Sequence, residues 1–244
     1  MSIEFVIAGI VIIFLIIVII KRFVYFRPGS EWFEPPPDLF TLNRYQHISY
    51  LSSNMNTGSK LILFCGGNTG NVTHRLNKLQ NLVNLGFNVV AFDYSGFGKS
   101  YGVPTEQQLY DDASMMLSLI LQSHHPTQIV LYGEAMGAPK ATYAARRYSI
   151  PTLILDSALP GAYIVAKGIL GKILALPFKE FDTAKYLNGY KGKSLLIHSS
   201  EDEVMPYATI YNISQLTTKH IQTTGTHSNP NIPWNKIKEF IQLN

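Results

Sequence analysis

Cysteine is all but absent. Cys65 stands alone among 244 residues, which rules out an intramolecular disulfide framework and suits a reducing compartment. Charge is scarce too: 15% of residues are Asp, Glu, Lys or Arg. The net charge of +4 gathers into no basic block interleaved with aromatics, so no nucleic-acid partner is expected. No internal repeat or low-complexity tract is present, which sets solenoids and arrays aside. The Gly-rich stretch 66–71 lacks both the Lys-Ser/Thr of a phosphate loop and the Gly-x-Gly-x-x-Gly pattern, and no cofactor or metal is called for.

One further absence is a single hydroxyl. Ile129-Val-Leu-Tyr-Gly-Glu-Ala-Met-Gly137 reads as a β-branched strand entering a Gly-x-x-x-Gly turn, and Pro139 to Arg147 reads as the helix after it. This is the spacing of a nucleophile elbow, Gly-x-Ser-x-Gly, in which glycines allow a strained turn to present its central residue at a helix N-terminus. The central residue is Ala135, whose methyl group cannot be deprotonated and cannot attack a carbonyl.

What the chain does carry begins with an apolar run over residues 5–20. As a helix it spans roughly 24 Å, a little under the hydrocarbon thickness, and the snorkelling of Lys21 and Arg22 covers the shortfall. Phe23, Tyr25 and Phe26 read as interfacial anchors. Residues 1–27 therefore read as a single-pass transmembrane signal anchor. Lys21, Arg22 and Arg27 all come after the run, which places the rest of the chain on the cytoplasmic side of the membrane. Residues 28–39, with three consecutive prolines at 35–37, read as a stiff linker that holds the domain off the membrane.

From 40 to 244 short apolar strands alternate with helical periodicity. Strands are predicted at 47–51, 60–65, 88–92, 152–156, 194–198 and 219–223 besides the elbow strand. Helices are predicted over 72–85, from Thr105, over 206–216 and over 232–243. The fold class is α/β, with a mostly parallel central sheet covered by helices on both faces. Residues 157–192 break the rhythm. Their apolar run 162–178 reads as a small cap over the C-terminal edge of the sheet.

Taken in order, the motifs resemble the α/β-hydrolases, of the small membrane-anchored type that includes the α/β-hydrolase-domain depalmitoylases. The family's His-Gly-Asn-x-Gly-Asn-x-x-His-Arg stands as Gly66-Gly-Asn-Thr-Gly-Asn-Val-Thr-His-Arg75. Its Asp-Tyr-x-Gly-x-Gly-x-Ser stands as Asp93-Tyr-Ser-Gly-Phe-Gly-Lys-Ser100, followed by Pro104-Thr-Glu106. Its acid motif stands as His198-Ser-Ser-Glu-Asp-Glu-Val-Met-Pro206, and a Gly-x-His as Gly225-Thr-His227. The resemblance implies the α/β-hydrolase fold and a membrane-anchored serine hydrolase acting on an acyl ester or thioester, lipid-derived acyl groups included. It implies Ala135 at the nucleophile position, His227 as general base, Asp202 as its orienting acid, and the N–H groups of Asn68 and Met136 as the oxyanion hole.

Two departures stand out: Ala135 for the serine, and Gly66 for the histidine before the oxyanion glycine. They leave two readings, a hydrolase silenced at its nucleophile or a natural pseudohydrolase that serves as a binding or scaffolding module. The remaining histidines, His74, His124, His125, His198 and His220, read as structural or exposed. Glu201 and Glu203 flank the acid without matching its register. Asp93 reads as a loop-fixing carboxylate, and Cys65 ends a strand rather than occupying an elbow.

Overall fold

The computed structural model describes residues 3–53, 58–165, 171–172 and 181–243. Its centre is a set of strands rich in Val, Ile, Leu and Phe. β4 (Leu61–Cys65), β6 (Asn88–Phe92) and β8 (Thr152–Asp156) are buried at every position, and β7 (Ile129–Glu134) at all but its last. Continuous burial of this kind is what a parallel strand covered on both faces requires. β9 (Lys193–Ser199) and β10 (Lys219–Thr223) extend the parallel sheet on one side. β3 (Ile48–Ser53) and β2 (Phe40–Tyr45) add antiparallel strands on the other. Among the described residues the order is β10-β9-β8-β7-β4-β6-β3-β2. The order reverses between β4 and β7, and ligands of open α/β sheets bind in the crevice at such a reversal, beyond the carboxyl ends of the strands.

Alternate side chains of these strands feed two cores. On one face Ile62, Phe64 and Tyr132 meet α2 (Leu76–Asn84) through Leu79 and Leu82, and α8 (Trp234–Gln242) through Ile237, Phe240 and Ile241. On the other face Leu63, Leu131 and Leu155 meet α3 (Glu106–Leu121) and α4 (Gly137–Arg147). α3 contributes Leu109, Ala113, Met116 and Leu117, while α4 contributes Ala138, Ala141 and Ala144. Each fully buried Leu or Ile contributes about 1.5–3 kcal/mol. Shorter helices complete the second layer: α5 (Ala162–Val165), α6 (Thr183–Leu187) and α7 (Tyr211–Leu216).

Four expectations are amended. The antiparallel edge strand β2 was not foreseen, because Thr41, Asn43 and Arg44 interrupt its apolar residues. The helix expected over 72–85 opens as a 3₁₀ turn, Val72–Arg75, capped by Asn71. Phe26 is no interfacial anchor: it is 5% exposed and packs edge-on against Phe181. Nor is the proline-rich segment held clear of the domain at its start, since β1 (Arg27–Pro28) pairs in parallel with β5 (Thr69–Gly70).

Helix α1 covers Ile3–Tyr25, 23 residues, and Ile3, Phe5, Ile7, Ile10 and Ile12 are exposed on it. Among the described residues no helix is long and apolar enough to cross a membrane. The side chains at 14 and 17–25, which include Lys21, Arg22, Phe23 and Tyr25, lie outside the described residues, as do 166–170 and 173–180 of the expected cap. Of what is described of that cap region, Ala158, Leu159, Ala162, Phe181 and Tyr186 are buried, while Ile164 is exposed.

Candidate active site

β7 ends in a turn that its glycines make possible. A Cβ on Gly133 would stand 2.6 Å from Ala138 Cα, and one on Gly137 would stand 2.0 Å from the Cys65 carbonyl oxygen. Both contacts are with backbone, so neither can relax by turning a side chain. Between them Ala135 adopts φ +48°, a left-handed conformation that costs a non-glycine residue about 1–3 kcal/mol. Its N–H donates to the Asp156 carbonyl at 2.9 Å, and its own carbonyl accepts from Leu159 N–H at 3.1 Å. The Gly-rich loop after β4 runs alongside: a Cβ on Gly67 would lie 3.4 Å from Ala135 Cβ. Gly66 is different, since a Cβ there would meet only Phe64, at 3.7 Å. Packing does not demand glycine at 66.

Across the cleft, His227 sits between the two-residue strands β11 (Gly225–Thr226) and β12 (Asn229–Pro230). Its Nδ1 is 2.8 Å from Asp202 Oδ2. The other carboxylate oxygen of Asp202 accepts from Val204 N–H at 3.0 Å and Met205 N–H at 2.7 Å. The flanking acids brace the same turn from outside: Glu201 accepts from Gly225 N–H at 2.8 Å, and Glu203 from His227 N–H at 3.0 Å. Of the three consecutive carboxylates, only Asp202 meets the imidazole. His198 is buried, with Nε2 2.8 Å from the Met205 carbonyl oxygen.

Burial opposes a charge on His227, but the hydrogen bond and negative charge of Asp202 outweigh it and raise its pKa above the ordinary 6.5. Burial likewise opposes ionisation of Asp202, and the His227 and Met205 hydrogen bonds overcome it, so its pKa is lowered. A histidine pKa raised in the folded state stabilises the fold fully below the unfolded value and loses that contribution as pH rises through the folded value. An NMR titration is expected to place His227 above its ordinary value in the intact chain and to lower it in Asp202→Asn, where only the charges of Glu134 and Asp156 still oppose burial. An unchanged titration in Asp202→Asn would show that the pair does not interact in solution.

Beneath the elbow lies an ionic network that the sequence reading missed. Lys78 Nζ donates to Glu134 Oε2 at 2.6 Å and to Asp156 Oδ2 at 2.5 Å. Arg75 Nε donates to Glu134 Oε1 at 3.1 Å, and Tyr132 OH to Asp156 Oδ2 at 2.9 Å. Burial would push the Glu134 carboxyl up, but Lys78 and Arg75 hold it well below the usual carboxylate range. Burial would push Lys78 down, but Asp156 and Glu134 hold it above its ordinary value. Arg75 also donates to the Thr69 carbonyl, which ties the Gly-rich loop to the residue preceding Ala135. Arg75 and Lys78 are three residues apart and so share a helix face, yet only the strand order brings Glu134 and Asp156 under that face.

Ala135, Met136, Asn68 and His227 all line one cleft of about 1010 Å³. Leu159, Ala162, Phe181 and Met205 form an apolar wall, and Asn68, Thr69, His74 and Asn77 a polar one. The other residues weighed in the sequence lie outside this chemistry. Cys65 is buried, and burial pushes its thiol up to about 12. Asp93 accepts from Val72 N–H at 2.7 Å and Lys99 N–H at 3.3 Å, holding two loops together. Among the described residues no group of His, Cys, Asp and Glu could hold a metal ion.

The strand order, the strained turn after β7 and the acid–histidine pair at the ends of later strands agree with what comparison finds. Residues 59–179 match the family model described as serine aminopeptidase, S33. The esterase Pf2001 of Pyrococcus furiosus superposes with a TM-score of 0.70 at 18% identity, over 89% of this chain and 97% of that one. The chain has the α/β-hydrolase fold. Among curated relatives, human alpha/beta hydrolase domain-containing protein 17B is 31% identical over 123 residues, 50% of this chain and 42% of that protein. An uncharacterized protein of Acanthamoeba polyphaga mimivirus, R595, is 29% identical over 205 residues, 72% of this chain and 69% of its own length.

Proposed function

We propose that this α/β-hydrolase is the framework of a membrane-anchored esterase or thioesterase, carried here in a form silenced by Ala135. The observation that carries the proposal is the Asp202–His227 pair, intact at 2.8 Å, on the same cleft as an elbow whose tip is alanine. With serine at 135, the hydroxyl would attack the acyl carbon while His227 Nε2 takes its proton. The N–H groups of Met136 and Asn68 would hold the developing oxyanion. His227 would then return the proton to the leaving oxygen or sulfur, and water would release the acyl group by the same route. Family kinship and the esterase fold neighbour support the reaction class. The anchor rests on the exposed isoleucines of α1 and on the basic residues beyond the apolar run, which also support a cytoplasmic domain.

A pseudohydrolase is the second reading, and Gly66 favours it. The structure has room for a side chain there, yet two of the family's positions have changed. A fluorophosphonate probe separates the readings. Serine-restored chain should become labelled at residue 135, and the Ala135 chain should stay unlabelled. A folded serine-restored chain that ignores the probe would leave the pseudohydrolase.

The apolar wall formed by Leu159, Ala162, Phe181 and Met205 suits an acyl chain. Each methylene buried there is worth up to about 0.8 kcal/mol. In the serine-restored form, kcat/KM for p-nitrophenyl esters should therefore rise several-fold per added pair of carbons until the wall is covered. A flat or falling profile would remove the long-acyl reading and leave a small-ester hydrolase.

A further inference from the structure

Between α1 and the sheet, residues 27–33 are bonded to the Gly-rich loop and to the turn that follows it. Arg27 N–H donates to the Asn68 carbonyl at 2.9 Å, and Gly29 N–H to the Gly70 carbonyl at 3.2 Å. Asn71 Nδ2 returns two bonds, to the Glu31 carbonyl at 2.6 Å and the Gly29 carbonyl at 3.4 Å. Phe33 N–H donates to Thr73 Oγ1 at 3.1 Å. The approach is close enough to require glycine: a Cβ on Gly29 would stand 2.9 Å from Gly70 Cα. At the head of this segment Phe26 meets Phe181, ring centroids 6.2 Å apart, and Phe181 belongs to the apolar wall of the cleft.

We infer that residues 26–33 are a positioning strap for the active site, fixing the loop that presents Asn68 and backing the wall that faces the acyl group. In its catalytic part the inference rests on the hydrolase reading above. The physical route is short. Pinning the Asn68 carbonyl fixes the peptide plane after Asn68 and so restricts the rotation available to the N–H on its other side. Oxyanion donors work only when they are held in place before charge develops. The strap touches the site through backbone, through Phe181 and through Phe33 against His74, and its Arg27 lines the cleft, without contributing a reacting group.

Asn71→Asp separates the strap from the loop's own architecture. The carboxylate keeps the acceptor role toward Thr73 N–H at 2.9 Å and Thr73 Oγ1 at 2.6 Å. It loses both donated bonds and faces the Glu31 carbonyl with a like partial charge. Hydrogen exchange of the Gly67–Gly70 amides in the full chain, as it stands with Ala135, is expected to speed up about tenfold, while amides of β7 keep their protection. In the serine-restored chain the same substitution should lower kcat on p-nitrophenyl acetate about tenfold with KM unchanged, the pattern of a contact realised only in the transition state. Phe26→Ala should do likewise, and it carries the test if Asn71→Asp fails to fold. Unchanged loop exchange in the folded variants would overturn the strap, and faster exchange with unchanged kcat would overturn its catalytic part. If the serine-restored parent shows no turnover, the hydrolase reading falls and the exchange arm alone decides whether the segment holds the loop.

Discussion

Ala135→Ser is expected to raise ester turnover by on the order of 10⁶ in kcat, about 8 kcal/mol of barrier. So large a return from one oxygen is expected because the costly parts are already built. The elbow is strained into place, with Ala135 at φ +48°. The imidazole that must accept the proton is oriented by Asp202 at 2.8 Å. Serine adds one heavy atom at a residue that is 6% exposed and borders the cleft, so the hydroxyl can be accommodated on the open side. In the serine-restored background, adding His227→Ala should remove nearly all of the gain, because nucleophile and base act as a unit and their losses do not add. The measurement is initial rates on p-nitrophenyl acetate for the parent, the single and the double variant. A gain that survives His227→Ala would show that another base serves residue 135. A gain below about tenfold in a folded chain would mean that the oxyanion loop or the elbow is not set for chemistry.

Lys78→Met is expected to cost about 3–5 kcal/mol of stability at pH 7, although no atom of the proposed catalytic set is touched. Methionine fills much the same volume, so the loss is electrostatic rather than a cavity. Lys78 serves Glu134 and Asp156 at once, at 2.6 and 2.5 Å, and these side chains are 14% and 0% exposed. Without it, Asp156 keeps Tyr132 as a donor and Glu134 keeps Arg75, but two carboxylates remain in the interior with one cation between them. The pH dependence has a definite sign. Glu134 is held below its ordinary 4.5, so its pairing contributes stability above that value and loses it as pH falls further. The gap between parent and variant should accordingly be widest at neutral pH and narrow below pH 4.5. Urea melts at pH 7 and pH 4 in the same detergent measure it. A loss under about 1 kcal/mol at pH 7 would show that the network is solvated and of the weak surface kind.

Much of this molecule was legible because the four central parallel strands are continuous apolar runs. β4, β6, β7 and β8 stand within a residue or two of their expected places for that reason. The candidate site residues came from family motifs; the structure brings Asp202 and His227 together and puts Ala135, Met136 and Asn68 on the same cleft as His227. What stayed hidden depends on contacts between distant parts of the chain. Nothing local marks Lys78, whose partners are 56 and 78 residues away. β2 was lost because an edge strand need not be apolar on its outer face. Residues 28–39 read as a spacer because of the prolines at 35–37, whereas Gly29 allows the start of that segment to touch the backbone of Gly70.

That contact also decides where a soluble preparation should begin. The usual way to handle such a chain is to remove the apolar helix, and the proline run at 35–37 offers an inviting place to cut. A product starting at 38 would take Phe26 off the ring of Phe181 and strip Asn68, Gly70 and Asn71 of their bonds to Arg27, Gly29 and Glu31. Retaining Phe26 and the residues after it keeps the fold's true border, although the first strand of the main sheet starts only at Phe40.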